Sequence, residues 1–301
     1  EKRYPPFGLR LGAAPLASRP AHHTFPPMTT TAIIGDVHGA LGPLEALVAR
    51  LAPGPAHRLV FVGDLVDKGP DPAGVVQYVR HLHETAPFEV VLVEGNHEER
   101  HRRYHDNTAE RPKVARDMAA EAPELPALDA QLSAGDRAFL AAAIPFLRLP
   151  DWGALIVHGG IPASMASFPD TAEEAARLTG AERDSFRKVL RTRYIEAETG
   201  KFLALGRNQP GDPFWADVYD GRFGHVVFGH QPWLEGPACF RHATGIDTAA
   251  VHGGRLTALV LPEDGAAHFL SVPGIDHAPR RSEDWPAHPG GNLRLGNRRA
   301  G

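Results

Sequence analysis

Residues 31–39 read Thr-Ala-Ile-Ile-Gly-Asp-Val-His-Gly, a short β-branched apolar run that stops at a glycine and two polar side chains. The pattern recurs. Leu59-Val-Phe-Val62 runs into Gly63-Asp64, Ala154-Leu-Ile-Val157 into His158-Gly159, and Val226-Val-Phe228 into Gly229-His230, while Glu89-Val-Val-Leu-Val93 reaches Gly95-Asn96 after Glu94. Apolar runs of this length read as buried strands of an α/β fold. Their polar ends then gather along one sheet edge, where such sheets bind ligands and glycine lets the chain turn sharply.

Outward from these junctions, helices are expected over 41–51, 72–83, 111–120 and 133–143, the last opening on Ser133-x-x-Asp136, which approximates a capping box. Residues 171–199 also read as helical, an insertion placed to roof the site. Strand signals return over 256–261 and 267–272. Order is expected to end at Pro273, because 274–301 is rich in Pro, Arg, His and Gly without apolar periodicity, which predicts a disordered tail. At the other end, Pro5, Pro6, Pro15, Pro20, Pro26 and Pro27 break up any signal-peptide core. Residues 1–27 are therefore expected to be a disordered leader or non-native extension, with Met28 as the natural start and one domain over 28–273.

The whole chain bounds the partners. Its 301 residues, 43% of them apolar, suffice for a full core. A formal charge of -4 and a pI near 6.5 supply no chain-wide attraction to nucleic acid or anionic membrane, so no nucleic-acid partner is expected. No stretch approaches the roughly 20 apolar residues of a membrane span, and no membrane partner is expected either. The single cysteine, Cys239, excludes an internal disulfide and fits a reducing, cytoplasmic setting. Nothing in the sequence signals an oligomeric state.

Asp36, His38, Asp64, Asn96, His158 and His230 offer two carboxylates, one amide and three imidazoles, a donor set suited to Mn, Fe or Zn more than to Ca. A carboxylate has two oxygens, so Asp64 is the natural bridge between two ions, with Asp36 and His38 on one and Asn96, His158 and His230 on the other. Two divalent ions, two aspartates and a shared hydroxide leave one net positive charge, which attracts a phosphate.

Taken in order, Gly35-Asp-Val-His-Gly39, Gly63-Asp-Leu-Val-Asp-Lys-Gly69, Gly95-Asn-His-Glu98, His158-Gly-Gly160 and Gly229-His230 resemble the calcineurin-like metallophosphoesterase signature, in its serine/threonine phosphoprotein phosphatase branch. The spacings are 28 positions from Asp36 to Asp64 and 32 from Asp64 to Asn96, and the resemblance covers residues 31–261. It implies a four-layer α/β/β/α sandwich of two mixed sheets. It also implies the division of ligands given above, with two divalent ions, manganese first and iron or zinc as alternatives. Phosphate esters would be hydrolysed by a bridging hydroxide with no covalent enzyme intermediate. The resemblance makes His97 the general acid, and Asp67 would accept the other ring N–H of His97, fixing its tautomer.

The sequence departs from the family where Val66-Asp67-Lys68-Gly69 replaces Val-Asp-Arg-Gly. Lys68 keeps the positive charge for a substrate phosphate but lacks the planar fork of arginine. Arg193 in the roof and Arg100 after the Gly-Asn-His-Glu block are the clamp candidates that would compensate. Residues 246–259 resemble the closing block of bacterial symmetrical diadenosine-tetraphosphate hydrolases. There His252 replaces a usual aromatic and is placed to touch substrate at the site mouth. Trp215 and Trp233 could stack a nucleobase, although rings of this size ordinarily fill cores.

Two enzyme functions follow from the resemblance: a phosphomonoesterase acting on phosphoprotein or small phosphate esters, and a symmetrical bis(5'-nucleosyl)-tetraphosphate hydrolase. A third reading, an inactive metal-binding scaffold, has no need for a complete ligand set.

Overall fold

Period-two alternation along the strands decides the layering. In β1 (Thr30–Ile34), Ala32 and Ile34 face one core while Ile33 faces another, and in β2 (His57–Phe61), Leu59 and Phe61 oppose Val60 in the same way. Strands buried on both faces must lie between other layers. The computed structural model describes residues 30–279 and 286–295, and the expected leader over 1–27 lies outside them.

One five-stranded sheet has the order β10-β9-β1-β2-β3, with β3 at Glu89–Leu92, β9 at Arg255–Leu261 and β10 at His268–Pro273. Within it β1, β2 and β3 are parallel, while β9 runs antiparallel to both β1 and β10. The other sheet has the order β4-β5-β6-β8-β7, from β4 (Leu147–Leu149), β5 (Ala154–Ile156), β6 (His225–Phe228), β7 (Ala238–Cys239) and β8 (Ala243–Gly245). Ile33, Val60, Ile156, Val227 and Leu259 fill the space between the sheets. The helices α1 (Leu41–Leu51) and α2 (Pro72–Thr85) cover the outer face of the first sheet. The result is the expected α/β/β/α sandwich.

The helix α3 (Asn96–Glu110) lies outside the expected helical spans, because Asn-His-Glu-Glu-Arg-His-Arg-Arg carries no apolar stripe and residues 100–103 read only as a solvated helix face. It buries His101 and Tyr104, and Tyr104 packs against Ala115 of α4 (Pro112–Glu121) and Leu125 of α5 (Glu124–Asp129). The expected cap is present at α6 (Ala134–Ala141), where Ser133 Oγ accepts from Asp136 N at 3.1 Å and Asp136 accepts from Ser133 N at 2.8 Å.

The insertion is helical only in part. It forms α7 (Ala172–Arg177), α8 (Gly180–Phe186) and a 3-10 turn over Arg187–Leu190, after which Tyr194 and Ile195 pair in extended fashion with Phe214 and Phe202. Trp215, which opens the short α9 (Trp215–Val218), and Trp233 are each 1% exposed in the core beneath it, so neither ring is available to a base.

The expectation of disorder after Pro273 fails for the described part of the tail. Ala278 is buried against the first-sheet core and Leu295 in the core between the sheets, with Ile275 and Leu293 packed alongside. The few apolar residues of this segment, spaced without period, are the ones that dock. Among the described residues no helix is long and apolar enough to cross a membrane.

Candidate metal and catalytic centre

Five strand ends converge. β1 delivers Asp36 and His38, β2 delivers Asp64, β5 delivers His158 and β6 delivers His230, while the first turn of α3 after β3 delivers Asn96. The backbone is bent to do this. Of the seven non-glycine residues with positive φ among the described residues, five are His38, Asp64, Asp67, Lys68 and His230. Left-handed backbone at non-glycine residues costs free energy and persists where a site requires it.

Asp64 lies at the middle of the cluster. Its Oδ1 is 3.3 Å from His158 Nε2, and its Oδ2 is 3.5 Å from His38 Nε2 and 3.8 Å from His97 Nε2. Asn96 Oδ1 is 3.0 Å from His158 Nε2, and Asp36 Oδ2 is 3.9 Å from His38 Nε2. His230 completes one side with Asp64 and His158, all within 4.8 Å, and its backbone N–H donates to Asp36 at 3.0 Å. The structure thus brings all six sequence-predicted ligands to one place.

The donors are set for a cation. His38 Nδ1 faces Val66 O at 2.8 Å and His158 Nδ1 faces Val62 O at 2.9 Å, which leaves each Nε2 lone pair directed into the cluster. Burial, followed by the positive charge of Lys68 for His38 and of Arg193 for His230, holds both imidazoles well below the usual histidine range and therefore neutral. Burial and the neighbouring Asp247 and Asp64 carboxylates push Asp36 well above its ordinary pKa. Burial opposes the ionised form of Asp64 too, but His158 and His97 outweigh it and its carboxyl is held low. Crowded buried carboxylates beside neutral imidazoles fit divalent metal ions, which relieve the repulsion and use the lone pairs.

The dyad is formed. His97 Nδ1 meets Asp67 Oδ2 at 2.6 Å, and the side chain of His97 is 18% exposed where its neighbours are nearly closed off, so the cluster opens at His97. Burial alone would raise the Asp67 pKa, but hydrogen bonds to His101 and His97 hold it below the usual carboxylate range.

The phosphate candidates divide. Arg193 donates to His230 O at 2.8 Å and stands beside the ligands. Lys68 points inward, with Nζ 2.7 Å from His38 Nε2. Arg100 does not join them, because it pairs with Glu124 of α5 at 3.0 Å. His252 is not at the mouth: it is 9% exposed, with Nδ1 3.2 Å from Ala278 O under the docked tail.

Three residues escaped the sequence reading. Asp247 follows β8 and is buried beside Asp36 and Lys68. Glu98 accepts backbone N–H groups from Asp64 and Leu65, both at 2.7 Å, and from Gly95 at 3.0 Å. His101 Nε2 lies 2.7 Å from Asp67 Oδ1. Ile246-Asp247 carried the same strand-then-acid signal as Gly35-Asp36, but Ala243–Gly245 is too weakly apolar to read as a strand.

Residues 29–253 match the calcineurin-like phosphoesterase family. Curated relatives include proteins named bis(5'-nucleosyl)-tetraphosphatase PrpE (asymmetrical). That of Oceanobacillus iheyensis is 30% identical over 80% of this chain and 90% of its own length, and that of Bacillus subtilis is 31% identical over 80% and 93%. Among solved structures, a protein described as a diadenosine tetraphosphatase superposes with a TM-score of 0.59 at 26% identity, covering 83% of this chain and 96% of that one. A Saccharomyces cerevisiae serine/threonine phosphatase similar to human PP5 shares the fold, with a TM-score of 0.54 at 17% identity over 83% and 82% of the two chains. The symmetrical cleavage expected from residues 246–259 is not the activity these curated relatives are named for.

Proposed function

This chain belongs to the calcineurin-like phosphoesterase family and is a phosphoester hydrolase, and on that premise we propose that it splits bis(5'-nucleosyl) tetraphosphates asymmetrically. The chemistry is carried by one observation: the His97–Asp67 pair, 2.6 Å apart, opening onto the carboxylate–imidazole cluster. The substrate class is supported by the relatives whose names specify it, matched over at least nine-tenths of their own length in the two cited.

Asp36 and His38 would hold one divalent ion, Asn96, His158 and His230 a second, and Asp64 both. Manganese is the first choice for this donor set, with iron or zinc as alternatives. Bound there, the ions supply Lewis-acid charge for the phosphoryl oxygens and activate water.

The protein's own part is positioning and proton transfer. Asp67 accepts the Nδ1–H of His97, so Nε2 faces the reacting phosphate and protonates the departing phosphate oxygen. The Arg193 guanidinium, fixed on His230 O, places a positive charge beside the cluster for the nonbridging phosphate oxygens.

Chromatography of the products from diadenosine tetraphosphate tests the reading, with manganese-loaded wild type, Asp64→Asn and His97→Ala. ATP and AMP in equal amounts are expected from wild type, none from Asp64→Asn, and a rate lower by about 100- to 10,000-fold from His97→Ala. ADP as the sole product would refute asymmetrical cleavage. Turnover of p-nitrophenyl phosphate without any of diadenosine tetraphosphate would return the phosphomonoesterase reading.

A further inference from the structure

Glu99 lies two residues beyond His97, and its side chain is 3% exposed. Three guanidinium groups converge on it: Arg191 at 2.6 Å, Arg187 at 3.1 Å and Arg103 at 3.9 Å. Among the described residues no second carboxylate lies within ion-pair distance of these three arginines. One negative charge among three positive ones leaves a local excess of two. A carboxylate has two oxygens and each guanidinium five N–H donors, so Glu99 cannot use most of the donors presented to it. The side chains of Arg103, Arg187 and Arg191 are 48%, 54% and 37% exposed, so the excess faces solvent.

Its position relates it to the centre. Asn96, Glu99 and Arg103 follow one another at three- and four-residue intervals on one face of α3, so Glu99 sits about 5 Å, one turn, along the helix from Asn96. The 3-10 turn that carries Arg187 closes over the His158 loop, where Gly160 N donates to Val189 O at 2.9 Å. Gly159 is fitted to that approach, since a Cβ there would lie 2.4 Å from Val189 O and 2.9 Å from Arg191 N. The cluster is therefore on the rim beside Asn96 and His158.

We propose that Arg103, Arg187 and Arg191, gathered on Glu99, form a subsite for the phosphates of a polyphosphate substrate that lie beyond the one attacked. The proposal rests on the tetraphosphate reading above, in which more phosphates must be held than Arg193 and the metal cage can contact. Glu99 orients the forks, and the anhydride chain leaving the cage meets the donors it does not use.

Calorimetric binding of inorganic tripolyphosphate and of orthophosphate to the manganese-loaded protein tests this. The tripolyphosphate is titrated as its manganese complex so that it does not strip the site. Wild type is expected to bind tripolyphosphate more tightly than orthophosphate. Arg187→Gln leaves Arg191, the nearer partner, on Glu99, and should weaken tripolyphosphate by about tenfold while orthophosphate changes by less than about twofold. Arg187→Gln/Arg191→Gln should weaken it further, and Arg187→Lys should recover part of the loss. Equal weakening of both ligands, or no weakening of either in Arg187→Gln, would overturn the subsite and leave the arginines a purely structural bond to Glu99. Parallel turnover of diadenosine tetraphosphate separates the two ideas. Its absence in wild type sinks the substrate reading, whereas the tripolyphosphate comparison still decides the subsite.

Discussion

Glu98 uses both carboxylate oxygens to hold the backbone N–H groups of Asp64, Leu65 and Gly95, and it is 1% exposed. Replacing it by glutamine turns an N–H₂ toward backbone donors and leaves at least one of them without an acceptor. Glu98→Gln is expected to lose about 1–3 kcal/mol in urea unfolding, and manganese affinity by about 10- to 100-fold in calorimetry. Asp67 gives a pH-dependent counterpart. Its pKa is depressed in the folded protein, burial being outweighed by His101 and His97, so its contribution is complete above the unfolded aspartate value of about 3.9 and is lost as pH falls toward the folded value. The stability gap between wild type and Asp67→Asn should be full near pH 7 and shrink below about pH 4. A gap that stayed constant across that range would contradict the assignment. At this scale the six clustered residues were legible because each lies at a junction of an apolar run with glycine, and the His97–Asp67 pair through the family resemblance. Glu98, His101 and Asp247 were not, since a side chain that holds another residue's backbone or ring has no spacing of its own to read.

Among the elements, α3 matters most to the site and was least visible in the sequence. Its first turn carries Asn96 and His97, and His97 N donates to Asp64 Oδ1 at 3.0 Å, which fastens the helix start to the loop after β2. Gly63 makes this approach possible: its φ is +104° and an added Cβ would stand 2.6 Å from both Gly95 Cα and Gly95 N. Gly63→Ala should therefore push α3 from Asp64, lower stability by roughly 1–3 kcal/mol, and weaken manganese binding in the same calorimetric assay. Stability and metal affinity both equal to wild type would show the contact to be soft. The contrast with α6 explains what a sequence can announce. Ser133 and Asp136 cap that helix locally, so the signal lies within four residues, whereas α3 is held by Asp64, Asp67 and the roof arginines from far along the chain.

In the whole molecule, the strands were readable as apolar runs and their sandwich through the family resemblance, but the docking of the tail was not. Leu295 fills a place between the sheets at 7% exposure, and His288 Nε2 approaches Gly236 O at 3.2 Å. Removing residues 286–301 should cost about 1.5–3 kcal/mol, the worth of one buried leucine, and lower the urea midpoint without changing which metal binds. An unchanged midpoint would mean that the tail contributes no stability. The pairing of β1 with β9 reaches furthest along the chain, with Thr31 opposite Leu261 and Gly35 N donating to Thr257 O at 3.0 Å. The loop that presents Asp36 is braced by residues synthesised more than two hundred positions later. A chain emerging from the ribosome therefore cannot brace this loop until β9 is made, and loop-closure entropy must be met before that pairing gives any return. His38, His158 and His230 all precede β9 in the chain, so the imidazoles of the cluster are synthesised before the strand that braces the Asp36 loop.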